Sequence, residues 1–236
     1  MKKILIFIVL SSFWFLSCQK ILFNEKESTR ELLFEDFHAV KISGIYNVVL
    51  IQDSENRLVI TGTNDVNAID AVIINDTLVI DDHKHMSFNP AKNTLEIHFR
   101  SISYMVTYDP VNVSNAGTIT AEQFLYYAIG EIAEVSLVVD CNYFLIVNSA
   151  NTLGNFRIKG QADNCTLFNR YGCNIFADSL ICRDAEIVNE SIGDVYVNAS
   201  ESIKAYLWGP GNIYYHGSPV IEIAEKRGDG KIIKIN

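Results

Sequence analysis

Residues 191–213 read SIGDVYVNASESIKAYLWGPGNI, and they run from one glycine turn of the chain to the next. In both turns the glycine stands two positions before a β-branched residue, as Gly193 does before Val195. The turn recurs along the second half of the chain, at Gly117, Gly130, Asn151, Gly172, Gly193, Gly211 and Gly230. Successive turns are 13, 21, 21, 21, 18 and 19 residues apart. A period of about 20 to 50 residues is typical of stacked, repetitive architectures.

The repeat predicts a parallel β-helix, or β-solenoid, of about six rungs over residues 101–236. Apolar residues precede each turn, and we assign one equivalent position to Ile146, Leu167, Ile187 and Tyr206. We expect each turn glycine to have a positive φ, which costs glycine nothing, with Asn151 as the best substitute. Three asparagines also align and predict a ladder of amide hydrogen bonds. They are Asn148, Asn169 and Asn189.

Short strands dominate residues 34–100. Runs rich in Val, Ile, Thr and Tyr alternate with turn residues such as Gly44 and the pair Asn75-Asp76, which is strand and turn chemistry. No window of 12 or more residues has a helical period, and residues 65–70 could form one helical turn at most. The sequence therefore predicts an all-β chain, in which residues 34–100 either cap the solenoid or continue it.

The amino terminus has the pattern of an export signal. Two lysines precede the apolar run Ile4–Leu16, which is too short to span a bilayer and is typical of a signal peptide. The run ends at Ser17-Cys18, which resembles a bacterial lipobox and implies cleavage before a lipidated Cys18. We therefore predict a signal peptide at residues 1–17, a lipidated cysteine and tether at 18–33, and an outer-membrane lipoprotein. The alternative is an ordinary secretory signal with an incidental cysteine.

The charge of the chain excludes some partners. Its formal net charge is −9, and removal of Lys2 and Lys3 with the signal leaves 17 basic against 28 acidic residues, a net charge of −11. No basic stripe is left, which argues against nucleic-acid binding. Four further cysteines lack metal-site spacing and allow three disulfide pairings, and we expect buried free thiols. They are Cys141, Cys165, Cys173 and Cys182.

Two groups of residues are candidates for binding. His83 and His85 could place two imidazoles on one strand face, but the polar segment around them favours a solvated loop without a metal. An aromatic group near the last rungs is a candidate binding surface, because aromatic residues dominate interface hot spots. Its members are Tyr206, Trp208, Tyr214 and Tyr215. The alternative is core filling and end capping, with Trp208 as a plug at the position of a ladder asparagine.

Catalytic chemistry has little support in the sequence. Motifs of nucleotide binding, of serine hydrolases and of zinc peptidases are absent. A polysaccharide-cleaving enzyme would need clustered carboxylates, and the aligned positions form no acidic ladder. We therefore predict no catalytic residue and no cofactor.

The carboxy-terminal residues carry a family resemblance. Residues 202–219, SIKAYLWGPGNIYYHGSP, resemble the L-x-A-x-x-x-G-x-G-x-I-x-Y-x-G-x-P pattern of the head GIN domain family, which groups autotransporter-adhesin-like proteins of gram-negative envelopes. Gly228-Asp229-Gly230 matches its last Gly-x-Gly, and residues 37–44 resemble its opening strand. The resemblance covers residues 34–236 and implies a β-helix related in shape to pectin lyases, an adhesive role and no known catalytic residues.

Taken together, the sequence predicts a non-enzymatic, lipid-anchored envelope module that binds a glycan or a protein. A structural or signalling protein facing the periplasm is the first alternative, and a carbohydrate-active β-helix enzyme is the second. An uncovered solenoid end would also permit a homo-oligomer, because an open end exposes unpaired strand edges.

Overall fold

The computed structural model describes residues 27–63, 65–81 and 93–235. Within these ranges the helical structure is limited to one 3₁₀ turn at Val66–Ala68, and sixteen strands make up the rest of the regular structure. The strands are β1 (Ser28–Leu33), β2 (Ala39–Ser43), β3 (Tyr46–Gln52), β4 (Arg57–Gly62), β5 (Asp70–Ile74), β6 (Thr77–Asp81), β7 (Asn93–Phe99), β8 (Tyr104–Thr107), β9 (Val111–Ala116), β10 (Ile119–Ala128), β11 (Ile132–Asn148), β12 (Leu153–Ser191), β13 (Val195–Leu207), β14 (Ile213–His216), β15 (Val220–Lys226) and β16 (Ile232–Lys234). The predicted all-β class is confirmed.

Parallel pairing between successive turns of the chain builds a β-solenoid of about six turns, as predicted. The long strands β11, β12 and β13 bend around the solenoid, so that different parts of each belong to different sides. A first wall stacks β3, β9, β14 and β16 with parts of the long strands. A second wall stacks β2, β8, β10 and β15 with other parts of them.

The amino-terminal strands continue the solenoid. Strand β2 pairs in parallel with β8, and β3 pairs in parallel with β9, although 65 residues separate the partners Ala39 and Tyr104. Beyond them, β6 and β7 add one more parallel layer. Antiparallel strands then complete this end, with β5 on β6, β4 on β7 and β1 on β4. Of the two predicted alternatives, capping or continuing the solenoid, the structure therefore shows that the described strands within residues 34–100 continue it.

The predicted tether is too long at its carboxy-terminal end. Residues 28–33 form strand β1, whose residues Ser28 to Leu33 pair with Gly62 to Arg57. The Arg30 guanidinium donates a hydrogen bond of 2.9 Å to the Ile69 carbonyl, and Leu32 packs against the core. The composition here is polar because an edge strand exposes much of its surface. A strand is therefore present even though its sequence has no regular apolar pattern.

The core lies inside the solenoid, where inward side chains stack from rung to rung. The rings of Phe124 and Phe144, both fully buried, lie 6.3 Å apart. Tyr126 is buried as well, and its hydroxyl is 3.0 Å from that of Thr107. Full burial of one large apolar side chain contributes about 1.5 to 3 kcal/mol, so the repeated inward positions supply most of the stability.

The asparagine ladder is present, with one amide-to-amide bond. Asn148, Asn169 and Asn189 are all buried, and the Asn169 amide donates to the Asn189 side-chain oxygen at 3.1 Å. Asn148 instead donates to the main-chain carbonyl of Arg170 at 2.8 Å. The ladder therefore satisfies buried polar groups of the turns.

The expected positive φ at the turn glycines is wrong for most of them. Among the seven turn positions only Gly117 has a positive φ, of 80°. In the turn at Gly172 the left-handed residue is Tyr171, with φ of 59°. Glycine is needed for another reason, because a Cβ on Gly193 would overlap the Cys173 carbonyl oxygen of the rung beside it. Close approach between rungs, and not backbone handedness, selects glycine at this corner.

The predicted register of the last rungs is displaced by one residue. Val188, not Ile187, pairs with Tyr206, and Asn189 pairs with Leu207. The register shifts where β12 meets β13, near Ile181, because the rungs shorten there. Trp208 consequently does not occupy a ladder position, and the interpretation of Trp208 as a plug is wrong.

Candidate functional site

The four predicted aromatic residues do not form one group. Tyr206 and Trp208 lie at the outer surface of the second wall, where β13 pairs with β15. Tyr214 belongs to the first wall, where β13 pairs with β14. Tyr215 packs against the core. The structure therefore divides the predicted surface into two separate aromatic sets and one core-packing residue.

The first set forms an aromatic patch of Phe168, Tyr206 and Trp208, all half-buried. The Trp208 ring meets the Tyr206 ring edge to face at 5.8 Å and the Phe168 ring at 6.3 Å. Two arginine side chains lie over rings of the patch. The Arg227 guanidinium lies 4.6 Å from the Trp208 ring centroid, and the Arg170 guanidinium lies 4.3 Å from that of Phe168.

Hydrogen bonds hold the patch in one arrangement. The Trp208 indole N–H donates to one Glu225 oxygen at 3.0 Å, and Arg227 donates to the other at 2.7 Å. The hydrogen bond from Arg227 holds the pKa of Glu225 below its ordinary value. Arg170 pairs with Glu190 at 3.2 Å. Because the side chains are already ordered, a partner would bind this surface at a reduced cost in side-chain entropy.

The sequence prediction missed Phe168 of the patch and the two arginines over its rings, Arg170 and Arg227. Phe168 and Arg170 each lie one position from Asn169, on the outward side of a strand whose inward residues defined the repeat. Successive side chains of a strand point to opposite faces, so both of these side chains lie on the outside of the solenoid. An aromatic residue at an outward position of a repeat was therefore a usable signal.

The second aromatic set is a stack along the first wall. The rings of Phe176, Tyr196 and Tyr214 are nearly parallel, with centroids 5.2 Å and 4.9 Å apart. Arg157 covers the end of the stack, 5.3 Å from the Phe176 centroid. Both faces of the middle ring, Tyr196, are therefore covered by its neighbours. Its contribution is to the pairing of rungs.

A ladder of polar side chains runs beside this stack on the same wall. Asn155 donates to Glu134 at 2.9 Å, and Asn174 donates to Asn155 at 3.3 Å. Further along, the side-chain oxygens of Asn174 and Asp194 accept main-chain N–H groups of the next rung, at 3.0 Å and 2.7 Å. The sequence prediction missed this ladder, although three of its residues stand one or two positions after a turn glycine. They are Asn174, Asp194 and Asn212.

Two open grooves lie on the solenoid surface. One, of about 330 Å³, is lined by Asp140, Asp163, Arg183 and the thiols of Cys141 and Cys182. Burial raises the pKa of Cys141 to about 12, so this thiol is not a nucleophile near neutral pH. The other groove, of about 360 Å³, lies on the first wall, and its lining includes Glu134 and Arg157.

The remaining predicted sites lie outside the described residues. These are the signal peptide at 1–17, Cys18, and the weak metal candidates His83 and His85. Within residues 27–63, 65–81 and 93–235, no three His, Cys, Asp or Glu residues are placed to hold a metal ion. The four cysteines at 141, 165, 173 and 182 are buried and free. In the same ranges no helix has the length and apolar character needed to cross a membrane.

Solved structures share this architecture. A "putative adhesin" from Bacteroides fragilis NCTC 9343 is 24% identical, with a TM-score of 0.81 over 89% of this chain and 98% of that chain. A second, from Parabacteroides distasonis ATCC 8503, is 17% identical with a TM-score of 0.67, over 90% and 98%. A "putative lipid binding protein" from the same strain is 18% identical with a TM-score of 0.58, again over 90% and 98%. At these identities the likeness establishes the fold.

A comparison with curated proteins gave no match. A family model does match the chain, over residues 36–219, and its description is "Putative auto-transporter adhesin, head GIN domain". The match spans the amino-terminal strands and most of the solenoid, which agrees with the observed continuity of the two regions. The chain therefore belongs to the head GIN domain family of adhesin-like proteins.

Proposed function

We propose that this protein is a non-enzymatic adhesion module of the cell envelope, which binds a protein or a glycan through the aromatic patch. The observation that carries the proposal is the cluster of Trp208, Tyr206, Arg170 and Arg227 on one outer surface. Tryptophan, tyrosine and arginine are the residues most enriched in binding hot spots. The family description as an adhesin supports the same function.

Three carboxylates with shifted pKa values are suited to accept hydrogen bonds and not to act as the general acid of glycoside hydrolysis. A general acid for that reaction needs a raised pKa. Here the pKa of Asp184 is lowered by a hydrogen bond from Ser202, and that of Glu225 by Arg227. The pKa of Asp53 is lowered to about 2 by His98. Carboxylates of this kind stay ionised and act as hydrogen-bond acceptors.

The proposed anchor is a lipidated Cys18 in the outer membrane. Strand β1 begins at Ser28, and ten peptide units span at most about 35 Å. The amino-terminal end of the solenoid would then lie near the membrane, whereas the aromatic patch lies on the last rungs, at the far end. This placement would leave the aromatic patch accessible to a partner on either side of the outer membrane.

The test uses the full chain in cells and in purified form. Trp208→Ala should weaken binding to the recognised probe at least tenfold, as expected for loss of a hot spot. The probes are a printed glycan array, immobilised mucin and fibronectin, and phosphatidylglycerol vesicles, the last because a related structure is named for lipid binding. Tyr108→Ala is the matched control, because Tyr108 is an exposed aromatic residue outside the patch.

Two results would contradict the proposal. Equal binding by the Trp208→Ala and wild-type proteins would remove the patch as the binding surface. Protection of the domain from protease in intact cells, followed by digestion once the outer membrane is opened, would place it on the periplasmic side and favour the structural or signalling alternative.

A further inference from the structure

We infer that the groove on the first wall is a binding site for a neutral saccharide, an assignment that rests on the proposed function as a binding module. The groove has a volume of about 360 Å³, within the range of about 300 to 1,000 Å³ typical of small-ligand sites. It is separate from the aromatic patch, which lies on the second wall.

The floor of the groove consists of small side chains in one register. Val49 pairs with Ser114, and Ser114 pairs with Ser136, so three successive rungs present a short outward side chain at the same place. On the next rung the equivalent residue is Arg157. Its long side chain, held over Phe176 at 5.3 Å, closes one end of the depression.

Planar polar groups form the wall of the groove. Asn47, Asn112 and Glu134 are aligned two positions before the floor residues, and the Asn112 amide donates to the Asn47 side-chain oxygen at 2.9 Å. An amide has two donors and two lone pairs, and a carboxylate has about four acceptor sites. Asn112 gives one amide hydrogen to Asn47, and Glu134 accepts from Asn155 and Arg157, so Asn112 and Glu134 both retain hydrogen-bonding capacity toward a ligand.

The charges in the groove select an uncharged ligand. Arg157 lies 3.4 Å from Glu134, and these two are the charged residues of the lining, so the formal charge is zero. The net charge of the whole chain, −9, disfavours anionic polymers. A row of paired donors and acceptors matches neighbouring hydroxyl groups, since each hydroxyl both donates and accepts, and the Val49 side chain offers contact to the apolar face of a sugar ring.

The experiment measures binding of trisaccharides to the purified full chain in detergent by isothermal titration calorimetry. The neutral probes are maltotriose, cellotriose, mannotriose and N-acetylated chitotriose, and the acidic probe is trigalacturonate. We expect at least one neutral trisaccharide to bind. Ser136→Trp, which fills the groove from an exposed position, should weaken that binding at least tenfold, and Ser200→Trp on another side of the solenoid should leave it unchanged.

If Ser136→Trp does not fold, the variants Arg157→Gln and Asn112→Ala test the inference instead. Both remove only outward polar groups, so we expect both variants to fold and to bind the neutral trisaccharide more weakly. Binding of no neutral probe, unchanged binding by the groove variants, or tighter binding of trigalacturonate would each overturn the inference. The outcome is distinct from that of the aromatic patch. If Trp208→Ala alone weakens adhesion, the proposed function stands and the groove is not a binding site. If only the groove variants lose binding, the assignment of the aromatic patch as the binding surface is wrong.

Discussion

The carbonyl oxygen of Gly193 lies directly against Gly211 of the next rung, at a position that any Cβ on Gly211 would overlap. Gly211 is buried, and its φ is not in the left-handed region. Its N–H donates to the Ser191 carbonyl at 3.0 Å. Contact between neighbouring rungs therefore excludes a side chain at this corner.

Gly211→Ala should destabilise the protein by about 3 kcal/mol, because the rung would have to move to relieve the overlap. The measurement is the free energy of unfolding from chemical denaturation. Gly117→Ala is the comparison, since Gly117 has φ of 80° but open space where a Cβ would lie. Its cost is that of the left-handed backbone alone, about 1 kcal/mol. Equal losses in the two variants would contradict the close-approach explanation.

Asn189→Ala should cost about 2 kcal/mol, because it leaves buried polar groups without partners. The Asn189 side-chain oxygen accepts from the Asn169 amide at 3.1 Å and from the Ser191 N–H at 3.2 Å. Its amide donates to the Gly193 carbonyl at 3.1 Å. The exposed Asn142→Ala is the control, with a change within about 0.5 kcal/mol expected. Similar melting temperatures of the two variants would show that the ladder contributes little.

Stability should fall as the pH drops from about 4 to 2, in part through Asp53. Its pKa in the folded state is about 2, chiefly because of the hydrogen bond with His98, whose Nδ1 is 2.9 Å from the carboxylate. A lowered folded pKa stabilises above the unfolded value of about 3.9, and that stabilisation is lost as the pH falls through the folded pKa. Asp53→Asn should therefore melt below the wild type at pH 6 and converge with it near pH 2. Asp163→Asn controls for the loss of one negative charge, and a constant difference between Asp53→Asn and wild type across this range would refute the assignment.

The buried thiols should be unreactive in the folded protein. Burial raises the pKa of Cys141 and of Cys173 to about 12, so few thiolates form at pH 8. Iodoacetamide should modify these cysteines slowly in the native protein and rapidly in denaturant, as followed by mass spectrometry. Ser200→Cys, at an exposed position, should react quickly in the native state. Rapid native modification of Cys141 or Cys173 would contradict the burial of these thiols.

The strands of the amino-terminal region show which features of the fold a local sequence pattern can predict. Runs rich in Val, Ile, Thr and Tyr predicted short strands over residues 34–100, and the structure has β3 and β7 among the strands there. Such composition does not reveal the partner of a strand. That β3 pairs with β9, 65 residues away at Tyr46 and Val111, depends on chain closure over an intervening segment, which no local window contains.

The aromatic residues show that closeness in the sequence does not establish contact in the structure. Tyr206, Trp208, Tyr214 and Tyr215 are close in the sequence, which suggested one surface. Between Leu207 and Ile213 the chain turns a corner of the solenoid, and the strands on either side belong to different walls. Their true neighbours, such as Phe168 for Trp208 and Tyr196 for Tyr214, come from earlier rungs and are set by the register.

The sequence by itself determined the β-solenoid, the positions of most strands and the family, because a repeat records which positions must face inward and which must turn. Only the tertiary structure decided why glycine stands at the corners, which aromatic rings meet, and where the first-wall groove lies. These depend on contacts between rungs. A change from 21 to 18 residues per rung shifts the register, and outward side chains, which carry the candidate sites, are free to differ from rung to rung.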